Sequence, residues 1–140
     1  MGKNKDKNKQ KKPVVLSMMV SLEGLESIPE GFSSQKMMLS WVVTFVDMWV
    51  NTTQSNKDEK LRGLKREDAL KFWRIRDLMK QAVDSKSEYV ELEYEDFQFL
   101  NKCRLQANIP VSSNESFKRI DDKFEEAVSR YDREKAVASS

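Results

Sequence analysis

The clearest periodicity lies near the end of the chain. Phe117, Ile120, Phe124, Val128 and Tyr131 recur at i, i+3, i+7, i+11 and i+14, which places them on one face of an α-helix. Ser112 and Glu115 precede that stripe at capping-box spacing, so a helix over roughly residues 115–135 is predicted, with the closing AVASS fraying. A second amphipathic helix is predicted over 64–83. There Leu64, Phe72, Ile75, Leu78, Met79, Ala82 and Val83 share one broad face, and Arg66, Glu67, Arg74, Asp77 and Gln81 lie opposite.

The remaining segments are read from shorter signals. PVVLSMMVSLEGL is apolar and β-branched between Pro13 and Gly24, and predicts a strand. The turn residues Ser27-Ile28-Pro29-Glu30-Gly31 follow it. Residues 37–50 carry both signatures: Val42, Val43, Thr44, Phe45 and Val46 favour a strand, whereas Met38, Trp41, Val42, Phe45 and Trp49 recur at helical spacing. Length and the capping serines Ser33 and Ser34 tilt the reading to helix. NTTQSNKDEK is then a polar connection. YVELE alternates as a short strand; Glu95 and Asp96 suit a helix N-terminus, Phe97, Leu100 and Cys103 supply an inner stripe, and Asn108-Ile109-Pro110 stops that helix. The resulting fold class is α+β and α-rich: an N-terminal strand or hairpin, three to four helices, and a long C-terminal helix.

Charge divides the chain. Lys3, Lys5, Lys7, Lys9, Lys11 and Lys12 face a single Asp6 in residues 1–12, leaving 19 basic against 22 acidic residues for the rest. Residues 1–13 are therefore predicted to be a disordered tail, 14–135 one small globular domain and 136–140 a frayed end. A mildly acidic body with a cationic tail differs from a domain built wholly around DNA, whose basic surface belongs to the folded part. The lysines followed by Val14, Val15 and Leu16 copy the start of a secretory signal, but Glu23 and Glu26 follow in place of a small-residue cleavage site. The apolar run of 37–50 is too short to span a bilayer and carries Asp47. No membrane partner and no signal-peptide secretion are expected.

Catalytic chemistry finds little material. The chain has no histidine, and none of its four glycines falls in a phosphate-cradling motif. Two carboxylate clusters, Glu91, Glu93, Glu95 and Asp96, and then Asp121, Asp122, Glu125 and Glu126, are read as solvated faces and helix-dipole partners in preference to an ion site. Cys103 is read as a core filler, with Arg104 pointing about 100° away on the same helix. No enzyme activity, metal or cofactor is expected.

Binding is better supplied. Trp73 sits at the edge of the apolar face of the 64–83 helix, and Leu70 lies among Arg66, Arg74 and Asp77. Aromatic and arginine side chains concentrate binding energy at protein interfaces, which makes Arg66, Leu70, Trp73 and Arg74 a candidate interface; the alternative is a broad core face. Residues 57–80 hold nine Lys/Arg against five Asp/Glu, and 84–96 hold one Lys against six acids, so adjacent blocks either neutralise each other or pair between copies of the chain. The tail lysines could neutralise phosphates without reading bases, with a log K against log salt slope of about −5 if all six engaged duplex DNA. They equally suit the acidic surface of a neighbouring subunit, or serve only as a solubiliser.

In order and spacing over roughly residues 37–128, the chain resembles a type of small bacteriophage accessory protein. The pattern has an apolar segment LTLGxVxxNALL, a basic helix KxxRxxLAxKI and a VELSxEEIxLIKK unit before a short helical end. LSWVVTFVDMWV, EDALKFWRIRDLMKQA, YVELEYEDFQFLNKC and FKRIDDKFEEAV take those places. Trp41 and Val42 stand where the pattern has glycine, and Glu93 where it has serine. The resemblance implies a phage accessory product and carries over no active site. The expected function is a non-enzymatic protein–protein interaction module, a virion structural or assembly component that self-associates or binds phage structural proteins, in the host cytoplasm or the virion. The alternatives are a sequence-nonspecific nucleic-acid-binding accessory protein using the tail with the Arg66/Arg74 face, and an inhibitor of a host enzyme or defence complex.

Overall fold

The computed structural model describes residues 11–25, 28–52 and 63–139. Strand β1 (Val14–Ser17) leads to helix α1 (Ser34–Thr52) and helix α2 (Arg66–Ser85); strand β2 (Tyr89–Leu92), helix α3 (Tyr94–Leu105), a 3-10 turn (Val111–Ser113) and helix α4 (Asn114–Ser139) follow. Four helices with the last one long, and a small sheet, are the α-rich α+β arrangement expected. Of the strand-or-hairpin alternatives for the N-terminal segment, β1 is a strand whose partner lies far along the chain. It pairs antiparallel with β2 in the register Val14↔Leu92, Val15↔Glu91, Leu16↔Val90 and Ser17↔Tyr89.

Two strands alone are marginal in water, so this sheet depends on the helices that cover one face. Val14, Leu16, Val90 and Leu92 alternate inward and are buried, whereas Glu91 and Tyr89 point out. The carbonyl of Glu88 accepts from Met18 N–H at 2.7 Å, extending the ladder by one rung. Helix α4 packs against β1, α2 against β2, and α1 bridges α2, α3 and α4.

The 37–50 segment is helical, and the reason its pattern was ambiguous is visible in its burial. Met37, Met38, Val42, Phe45, Val46 and Trp49 are all buried, because α1 has neighbours on more than one side. Ser33 caps it, its Oγ accepting from Lys36 N–H at 3.2 Å. Ser34 Oγ donates to the Met18 carbonyl at 2.6 Å and accepts from Val20 N–H, pinning the start of α1 to the segment after β1.

Around Phe45 an aromatic group joins three helices. Phe45 lies edge-on to Phe117 and Phe124 with ring centroids 5.9 Å apart in each case, and Phe124 stacks on Phe97 at 5.9 Å. Ile120 and Phe124 of the expected α4 stripe are fully buried, with Phe117, Val128 and Tyr131 half-buried at its edges. Helix α4 runs to Ser139, beyond the end expected near 135.

Candidate interaction surface

Helix α2 presents its inner side through Ile75, Met79 and Ala82. The stripe anticipated for it is narrower than read, since Leu78 is 36% exposed. Directly opposite the core, Trp73 is 61% and Leu70 43% exposed. The broad-core alternative for these two residues therefore does not hold. At 100° per residue, Arg66, Leu70, Trp73 and Asp77 fall within an arc of about 60° centred away from the core. Among the described residues, neither Arg66 nor Asp77 takes part in an ion pair of the chain.

Arg74, named with them from the sequence, is held differently. Its Nε donates to Asp96 Oδ2 at 2.9 Å and its Nη2 to Asp96 Oδ1 at 2.7 Å, a two-pronged clamp from α2 to the first turn of α3. The Arg74 side chain remains half exposed, but that of Asp96 is 2% exposed. The carboxylate raises the Arg74 pKa further above its ordinary value, chiefly through this hydrogen bond. Asp96 thus departs from the solvated acidic face expected of it. A carboxylate is admitted to the interior here because two guanidinium N–H groups and the N-terminal end of α3 meet it.

The second carboxylate cluster keeps its access to solvent, the Asp121 side chain being 31% and the Glu125 side chain 60% exposed, but two of its members hold a buried arginine. Arg104 is buried: it donates to Asn101 Oδ1 from Nε at 2.9 Å and to Glu125 Oε2 from Nη2 at 2.6 Å, and its Nη1 donates to Asp121. Its guanidinium carbon lies 5.4 Å from the Phe124 ring centroid. Asp121 and Glu125 are one helical turn apart and act as a receptor for this arginine, which ties α3 to α4. Cys103 is buried beside it, and burial pushes its thiol up to about 12. Among the described residues no group of three or more histidine, cysteine or acidic side chains is placed to hold a metal ion.

Lys3, Lys5, Lys7 and Lys9 lie outside the described residues. Lys11 Nζ is 3.5 Å from Glu95 Oε1 and 5.1 Å from the centroid of the Tyr94 ring. Lys12 lines a surface groove with Arg130, Arg133, Glu134 and Val137 of α4. A further groove of about 580 Å³ runs between residues 24–25 and 28–32, α1 and the start of α4, lined by Leu25, Pro29, Phe32, Trp41 and Met48 among others. Glu115, the carboxylate that lines it, is engaged by Arg119 Nε at 3.2 Å.

Among the described residues no helix is long and apolar enough to cross a membrane. No protein family, curated protein or solved structure matches the chain.

Proposed function

We propose that this chain is a non-enzymatic protein–protein interaction module of phage type, a virion structural or assembly component that meets its partner through the outer face of α2. It works in the host cytoplasm or the virion. The exposure of Trp73 beside Leu70 carries the reading. Burying an exposed indole against a partner releases on the order of 2–3 kcal/mol, and the isolated chain forgoes that stabilisation. The Arg74–Asp96 clamp, one turn from Leu70, fixes α2 on α3 before any partner arrives, which lowers the ordering cost of binding.

Co-sedimentation of the purified chain with phage head and tail proteins tests this. Binding that is lost in Trp73→Ala, with an unchanged circular dichroism spectrum, is expected. A monomer that binds none of them, or binding that is equally strong without the indole, refutes it.

A second reading, a sequence-blind nucleic-acid accessory protein, is favoured by one observation: Lys12, Arg130 and Arg133 share a groove where the lysine tail meets β1. On this reading the cations of the folded part would be those of α4, although Arg130 is paired with Glu134 at 3.2 Å much as Arg74 of the face first considered is paired with Asp96. Gel shifts at two salt concentrations, with and without residues 1–12, decide it. Binding at low salt that vanishes with the tail supports the reading; no binding at low salt removes it.

A further inference from the structure

We infer that a second copy of this chain is the occupant of the α2 outer face, bound antiparallel about a two-fold axis passing between Lys71 and Phe72. The inference rests on the reading of that face as an interface and names its partner. Its basis is an order of side chains that complements itself when reversed. Along the outer stripe the sequence is Arg66, Leu70, Trp73, Asp77, at spacings of four, three and four, the repeat by which one helix presents a seam to another.

Turned end for end about that axis, Leu70 of one copy meets Trp73 of the other, and Arg66 meets Asp77. The two central layers are apolar and the two outer layers join opposite charges. All four residues face away from the core, and among the described residues Arg66 and Asp77 have no ion pair of their own to give up. A parallel pairing would set Arg66 against Arg66 and Asp77 against Asp77. Sliding the antiparallel pair by one seam position sets Leu70 against Asp77 and Arg66 against Lys80, and sliding it by a full heptad sets Trp73 against Asp77 and Leu70 against Lys80. Charge and apolar matching therefore select one orientation and one register. The seam is short, with Arg66 and Asp77 about 16 Å apart along the axis, so the dimer belongs with small, reversible interfaces and depends on concentration.

Sedimentation equilibrium of the full chain over a wide concentration range at low salt is the test. The wild-type chain is expected to shift from monomer to dimer. The double variant Leu70→Ser/Trp73→Ala, altered only at exposed positions, is expected to stay monomeric with an unchanged thermal melt. Arg66→Asp and Asp77→Arg alone each replace two attractive pairs per dimer by two repulsive ones, and are expected to weaken association by about tenfold or more. The exchanged chain R66D/D77R is expected to recover it, as is an equimolar mixture of the two single variants.

A wild-type chain that remains monomeric, single charge reversals without effect, or an exchanged chain that fails to recover would each overturn the inference. Persistence of the dimer in Leu70→Ser/Trp73→Ala would also overturn it. A monomeric chain that still loses a phage structural protein on Trp73→Ala would remove the self-pairing while leaving the proposed function standing. A monomer for which Trp73→Ala changes no binding would remove both.

Discussion

The clamp between Arg74 and Asp96 makes an asymmetric prediction. Its two side chains are equally necessary to the ion pair but unequally buried, at 49% and 2% exposed. Replacing Arg74 by Met keeps most of the aliphatic stem and strands a carboxylate in the interior, a fault that costs about 3–5 kcal/mol. The N-terminal dipole of α3 continues to favour the Asp96 charge by about 0.5–1 kcal/mol, leaving a net loss of about 3 kcal/mol. Replacing Asp96 by Asn keeps the shape and leaves a guanidinium that already has half its surface in water, for a loss of about 1–1.5 kcal/mol. Urea unfolding and thermal melting at pH 7, each followed by far-ultraviolet circular dichroism and by tryptophan fluorescence, measure both. Arg74→Met is expected to melt about 9 °C below the wild-type chain and Asp96→Asn about 4 °C below. Equal losses, or a larger loss for Asp96→Asn, would refute the argument from burial.

Three further outcomes are expected. Phe124→Ala removes the ring that meets Phe45, Phe97 and the Arg104 guanidinium, and should cost about 3–5 kcal/mol in the same urea assay. Lys86 closes α2 in the left-handed region at φ 56°, so Lys86→Gly should raise stability by about 1 kcal/mol, read as a higher urea midpoint with an unchanged slope. The raised Cys103 thiol means that the unfolded chain loses this proton first. Stability should therefore fall as pH climbs from roughly 8.5 towards about 12, by up to about 1.4 kcal/mol per pH unit, and Cys103→Ala should flatten that slope whatever its effect on absolute stability. Iodoacetamide at pH 8.5 should label the thiol only in urea.

Legibility from sequence followed the number of sides on which an element is covered. Helix α4 is covered on one side, so Phe117, Ile120, Phe124, Val128 and Tyr131 wrote its face into the pattern. Helix α1 is covered on several sides, so Val42 and Phe45 could be assigned to strand or helix with equal ease. Strand β1 could be recognised by composition and the strand at Tyr89–Leu92 by its alternation, but their pairing could not, because register between distant segments is decided by packing. Charged residues misled most. Asp96 read as surface because acids are rarely buried, and the pattern places Arg104 only by its angle from Cys103; their partners, Arg74 in one case and Asn101, Asp121 and Glu125 in the other, explain why both are buried. A signal was present: Asp121 and Glu125 stand one turn apart on a strongly amphipathic helix, the spacing of a receptor for a single guanidinium. Leu70 and Trp73 broke the stripe of α2, and that break marked the candidate surface.

The pairing of Val14 with Leu92 has a consequence during biosynthesis. VVLSMMV leaves the ribosome well ahead of its complement, which cannot reach it until Leu92 has been made, and α4, which packs against it, is translated later still. For that interval the newborn chain carries a sticky, unmatched ribbon immediately behind its string of lysines. The like charges there repel neighbouring nascent chains during the wait, so shortening the tail should reduce soluble yield in cells while leaving the purified fold as stable as before.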